Sequence, residues 1–142
     1  MSEKLSLGPH DSLEIRSSTP EALEVEACYR PGGSPPPAHF HPAQDEHFEV
    51  LEGAMRVRVG SEERELEAGA EIEIGRGQVH QMWNPGLEPA RVRWVTTPGG
   101  RTEQWFRTLD RVFRKGGDID AGREVDFGAL LEEYGDVFRL EQ

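Results

Sequence analysis

From Ser12 to about Thr97 the chain is a succession of short runs in which apolar and polar residues alternate, and glycine and proline cut one run from the next. Successive side chains of a strand point to opposite faces, so runs of this kind bury one face and leave the other wet. A series of them is satisfied by an all-β sandwich or barrel of antiparallel strands. The candidate strands are Ser12–Ser17, Ala22–Tyr29, Glu46–Glu52, Met55–Gly60, Glu63–Glu67, Ala70–Ile74, Val79–Trp83 and Ala90–Thr96. The segment PGGSPPPA, Pro31 to Ala38, is excluded from any central strand, because its prolines lack amide donors and its glycines weaken pairing. Gly53, Gly60 and Gly69 fall at the expected turns.

After Pro98-Gly99-Gly100 the period changes. Trp105, Phe106, Leu109, Val112 and Phe113 recur at helical spacing, and Gly116-Gly117 stops the pattern. A second helix is expected with Asp126 as N-cap, Phe127, Leu130, Leu131 and Tyr134 as its apolar stripe, and Gly135 at its end. This divides the chain into a β-barrel over residues 1–100 and a helical tail over 101–142, within a single domain of 142 residues. The tail is too short to fold alone, so its apolar faces are expected to cover the barrel or a partner subunit.

Composition narrows the function. Sixteen basic against 27 acidic residues give a net charge of −11, which repels phosphate backbones and anionic membrane surfaces. No nucleic-acid or membrane partner is expected, and no run approaches the length needed to span a bilayer. The N-terminal residues lack a basic flank, an apolar core and a cleavage site, so a cytoplasmic location is expected. Cys28 is the sole cysteine, which excludes an internal disulfide and a cysteine-based zinc site. GRGQVH lacks the lysine of a nucleotide loop, and no nucleophile elbow occurs.

Two of the five histidines, His39 and His41, stand one residue apart. In extended chain they face one volume, where two neutral imidazoles can converge on a metal ion. In the strand that follows, Glu46 shares a face with the core-directed Phe48 and Val50. A carboxylate turned toward a core is costly unless a cation meets it, which makes Glu46 a third candidate ligand. His80 returns beside Met82 after the tight turn Gly75-Arg76-Gly77 and is the fourth. His10 and His47 lie in a polar leader and on the opposite strand face, where structural or exposed roles are expected.

These two stretches resemble the two motifs of the cupin superfamily. Gly33, His39, His41, Glu46 and Gly53 fill the first motif; Gly69, Gly77, His80 and Asn84 fill the second, in which Gly75 replaces the usual proline and loosens the turn. The resemblance covers roughly Ser12 to Thr97 and implies a small jelly-roll barrel with a short C-terminal helical extension. It implies His39, His41, Glu46 and His80 as ligands of one divalent transition metal ion: Fe, Mn, Ni, Co, Cu or Zn. Four ligands leave adjacent coordination positions open for substrate or dioxygen. The expected function is a metal-dependent dioxygenase, similar to quercetinase-like proteins, with Glu46 also able to act as base. The alternatives are an isomerase, decarboxylase or hydrolase using the ion as Lewis acid, and a non-catalytic small-molecule binder. Phe48, Met55, Met82 and Trp94 point inward and are expected to line an apolar, partly aromatic pocket for a small organic substrate. Arg56, Arg58, Arg91 and Arg93 have the opposite parity and are expected in solvent. The family also implies a homodimer, with which the outward Leu51 is consistent.

Overall fold

Alternation becomes strand along nearly all of the region that shows it. The computed structural model describes residues 4–7, 11–114 and 131–140. Its strands are β1 (Lys4–Ser6), β2 (Asp11–Ser18), β3 (Leu23–Tyr29), β4 (His39–Phe40), β5 (Asp45–Glu52), β6 (Ala54–Val59), β7 (Glu62–Glu67), β8 (Glu71–Ile74), β9 (His80–Trp83), β10 (Ala90–Thr97) and β11 (Arg139–Leu140), with one helix, α1 (Thr102–Arg114). One sheet runs β1-β2-β3-β10-β5-β8 and the other β11-β4-β9-β6-β7, every pairing antiparallel. This is the jelly-roll arrangement.

The core between the sheets is drawn from both. Phe48, Val50, Ile72, Ile74 and Val92 come from the first sheet; Met55, Val57, Leu66 and Met82 come from the second. Burial alternates along β5 as period two requires. Each fully buried aliphatic side chain contributes about 1.5–3 kcal/mol of transfer free energy. A second cluster continues the same face of the first sheet across β3, β2 and β1, where Leu5, Leu13, Val25 and Ala27 meet Trp105 and Phe106 of α1 together with Tyr134 and Val137. A hydrogen bond from the Ser6 amide to Asp110 Oδ1, at 2.8 Å, ties β1 to that helix.

Three differences from the sequence reading bear on the site. β1 and β11 were not anticipated, because strands of three and two residues carry too little period-two signal, and the partner of β11 lies far along the chain. β4 covers only His39–Phe40, so His41 lies just past the strand rather than within it. Of the second tail helix, residues 131–133 are helical and Tyr134 is buried, while Gly116, Gly117, Asp126, Phe127 and Leu130 fall outside the described residues. Among the described residues no helix is long and apolar enough to cross a membrane.

Candidate metal centre

His39 and His80 occupy directly opposed positions in the β4–β9 ladder, which brings their rings to 4.4 Å between centroids. His41 joins them from the turn after β4, with its ring 5.2 Å from His39 and 5.3 Å from His80. The backbone of His41 is held by the Gly75-Arg76-Gly77 turn, whose Gly77 amide donates to the His41 carbonyl at 2.9 Å. Gly77 has φ +81°, a conformation that favours glycine. One nitrogen from each ring falls within 4.8 Å of the other two, the one group of metal-capable donors of this kind among the described residues.

Each imidazole is fixed by its other nitrogen. Nδ1 of His39 lies 3.1 Å from the Pro37 carbonyl, Nδ1 of His41 2.6 Å from that of Val137, and Nδ1 of His80 2.9 Å from that of Gln78. A carbonyl oxygen can only accept, so Nδ1–H donates in all three and the Nε2 lone pairs face the shared volume. This is the outer-shell arrangement that orients metal-binding histidines.

Glu46 enters from β5 on the side of His41 and His80. Its Oε1 is 3.1 Å from Nε2 of both, and its Oε2 accepts the Trp94 indole N–H at 2.7 Å. Glu46 is 2% exposed, and neither its Oε1 nor His41 Nε2 has a hydrogen-bond partner. Two acceptors that close repel unless a cation lies between them, so the donor set fits a metal ion. Burial would raise the Glu46 carboxyl, but His41 and His80 outweigh it and hold the group far below the usual carboxylate range. Burial opposes charge on His41 too, yet Glu46 and the Val137 carbonyl raise its pKa. His39, half-buried, is lowered to about 4 by desolvation and by the other two rings.

The replacement of proline by Gly75 does not leave the turn loose. The Gly75 amide, which proline would lack, donates to Gln78 Oε1 at 2.7 Å, and Arg76 binds Asp45 through its backbone amide at 2.9 Å and its guanidinium at 3.2 Å. Asn84 secures the other motif end: its side-chain amide donates to the carbonyls of Tyr29 and Glu88, and its backbone carbonyl accepts the Gly33 amide at 2.7 Å.

A cavity of about 200 Å³ opens on the three histidines and Glu46. Phe48, Met82 and Trp94 line it, whereas Met55 does not: it is 1% exposed inside the sandwich core. The sequence reading missed the walls supplied from the chain ends, chiefly Leu7, Trp105, Phe106 and Phe138. Arg56 and Arg58 pair with Glu63, Arg91 with Glu26 and Arg93 with Glu24, all on the surface. His47 pairs with Glu71 on the outer sheet face, and His10 lies outside the described residues.

The relatives agree with this construction. Over 60 residues the chain is 40% identical to the tetracenomycin polyketide synthase protein TcmJ of Streptomyces glaucescens, covering 42% of this chain and 40% of that protein. Over 106 residues it is 27% identical to an oxidoreductase of Arthrobotrys oligospora, covering 73% of this chain and 39% of that one. The chain therefore spans about two fifths of the length of each of these curated relatives. Its fold is similar to the crystal structure of an RmlC-like cupin from Shewanella frigidimarina, with a TM-score of 0.65 at 17% identity over 72% of this chain and 89% of that one. Residues 25–96 match the cupin domain family, and with the motif residues placed as described, the chain belongs to the cupin family.

Proposed function

We propose that this cupin is a metal-dependent dioxygenase acting on a small aromatic molecule, with one divalent transition metal ion held by His39, His41, His80 and Glu46. The observation that carries the reading is the common tautomer: three Nδ1–H groups spent on backbone carbonyls leave three Nε2 lone pairs converging beside a buried carboxylate. A bound ion supplies Lewis acidity toward a substrate hydroxyl and open positions for small ligands. Glu46 Oε1 is the carboxylate oxygen at the histidine cluster and accepts the proton of that hydroxyl, while the Trp94 indole steadies Oε2. Phe48, Trp94 and Phe106 hold a planar ring and exclude water; Trp94 lies 5.3 Å from Phe48 and 5.0 Å from Phe106 between centroids. Dioxygen is the co-substrate: four electrons leave the organic molecule, four reduce O2, and both oxygen atoms end in the product. The name of the Arthrobotrys relative, an oxidoreductase, supports the oxidative reading over the Lewis-acid one.

Elemental analysis beside a His41→Ala variant tests the centre. About one metal ion per chain is expected in the parent and strong loss in the variant; equal metal in both would remove His41 from the site. Retention should fail as pH drops toward about 6, because the imidazoles must be neutral. Oxygen uptake with a panel of aromatic diols tests the chemistry. Consumption of one O2 per molecule turned over is expected, and turnover without oxygen would replace the dioxygenase with a Lewis-acid enzyme.

A further inference from the structure

The family match ends at residue 96, yet two of the three imidazoles are held from residues 137 and 138. The Val137 carbonyl accepts the His41 Nδ1–H at 2.6 Å. The next residue, Phe138, stacks on His39 with centroids 4.6 Å apart and planes 24° from parallel, and it meets His41 edge-on at 5.9 Å.

The segment is anchored independently of these contacts. Tyr134 and Val137 sit in the second cluster with Leu5 and Leu13, and the Tyr134 and Thr108 hydroxyls are 3.0 Å apart. Arg101 clasps Asp136 through two nitrogens, at 2.6 and 3.0 Å, and donates to the Glu133 carbonyl at 2.5 Å. Phe138 itself packs parallel on Trp105 at 5.4 Å, and β11 pairs with β4 so that Leu140 lies opposite His39. A segment secured this way can hold the rings it touches. His39 already spends Nδ1–H on Pro37 and has one face covered, so its ring cannot turn without displacing Phe138. His41 keeps Nε2 toward Glu46 only while its other nitrogen has an acceptor, which the Val137 carbonyl supplies from 96 residues away.

We propose that Val137 and Phe138 are positioning residues of the metal centre, the carbonyl of the first setting the tautomer and direction of His41 and the ring of the second setting the plane of His39. The proposal rests on the metal reading above, and the test separates the two. In the metal-free full-length protein, the His41 Nδ1–H should appear in proton–nitrogen spectra as a slowly exchanging ring proton. Phe138→Ala should speed its exchange, and with Co(II) bound it should shift the visible absorption bands and hasten release to a chelator by about tenfold, within the range for lost outer-shell partners. Phe138→Tyr, which keeps the stacked ring, should restore all three, and Glu132→Ala, exposed on the same C-terminal segment, should resemble the parent. A folded Phe138→Ala protein with the parent's ring-proton exchange, spectrum and release rate would overturn the proposal. Failure of the parent to take up Co(II) would refute the metal reading, while the ring-proton exchange would still decide whether the segment positions His41.

Discussion

Glu46 concentrates the electrostatics of the centre. A lone carboxylate this deeply buried costs several kcal/mol; the Trp94 indole N–H offsets part of that at Oε2, while Oε1 faces the Nε2 atoms of His41 and His80 and is left for a cation. The indole matters separately because, among the described residues, it is the donor to Oε2. Trp94→Phe keeps an aromatic ring against Phe48 and Phe106 but removes the donor, so a hydrogen bond to a charged group is lost from the interior. The metal-free protein should lose about 1.5–3 kcal/mol in urea unfolding; an unchanged midpoint would mean that Oε2 has another source of stabilisation. The inward aim of Glu46 was legible from its parity with Phe48 and Val50. Its indole partner was not, because that contact depends on β5 pairing with β10 so that Trp94 lies opposite Phe48 and Thr96 opposite Glu46. Strand order of that kind is set by the whole sandwich, and local period does not contain it.

Between strands, the turns do the positioning, and two glycines show how different their demands are. Gly53, joining β5 to β6, has φ +74°, and a Cβ there would stand 2.5 Å from the Pro89 carbonyl oxygen. Gly69 has φ +94° with nothing within 4 Å of such a Cβ. Gly69→Ala should therefore cost only the left-handed conformation, about 1–2 kcal/mol. Gly53→Ala should cost clearly more, because backbone must also move; equal losses in chemical denaturation would show that the Pro89 loop yields freely. Both glycines were recognisable as turn positions, but the crowding at Gly53 was not, since Pro89 lies far along the chain. The same limit hid the C-terminal segment: apolar spacing marked Leu131 and Tyr134 as one face, while nothing local tied residue 137 to residue 41. The Arg101 hydrogen bonds hold the Asp136 carboxyl below its ordinary value of 3.8. A carboxyl harder to protonate folded than unfolded contributes fully above its ordinary value, and the contribution is lost progressively as pH falls from there through the lowered folded value. The amides of Val137 and Phe138 should thus stay protected from hydrogen exchange at about pH 5. Arg101→Gln should expose them at neutral pH, and unaltered protection in that variant would remove the clasp from the account.

At the scale of the molecule, labour is divided between the barrel and the chain ends. The strands matched to the family supply the histidines, Glu46 and the aromatic floor of Phe48 and Trp94, while Leu7, Asp11, Trp105, Phe106, Leu109 and Phe138 add walls from outside that match. The proposed ligand set therefore describes what the centre can hold, and the walls decide what reaches it. Among the described lining residues the charged groups besides the histidines are Asp11 and Glu46, both acidic. A bound divalent ion would favour a hydroxyl that ionises on it, because its own charge dominates that end of the cavity. Away from the ion, a second anionic group would meet aromatic faces, Asp11 and no lysine or arginine of the described lining, and shielding inside such a cavity is weak. Catechol should consequently bind the metal-loaded protein more tightly than 3,4-dihydroxybenzoate by about tenfold or more, as one unpaired charge in a confined site implies. Titration calorimetry with the two compounds measures this directly. A preference for the carboxylate would mean that a cation reaches the cavity from elsewhere in the chain or from a partner, and the assignment of a neutral aromatic substrate would have to be abandoned.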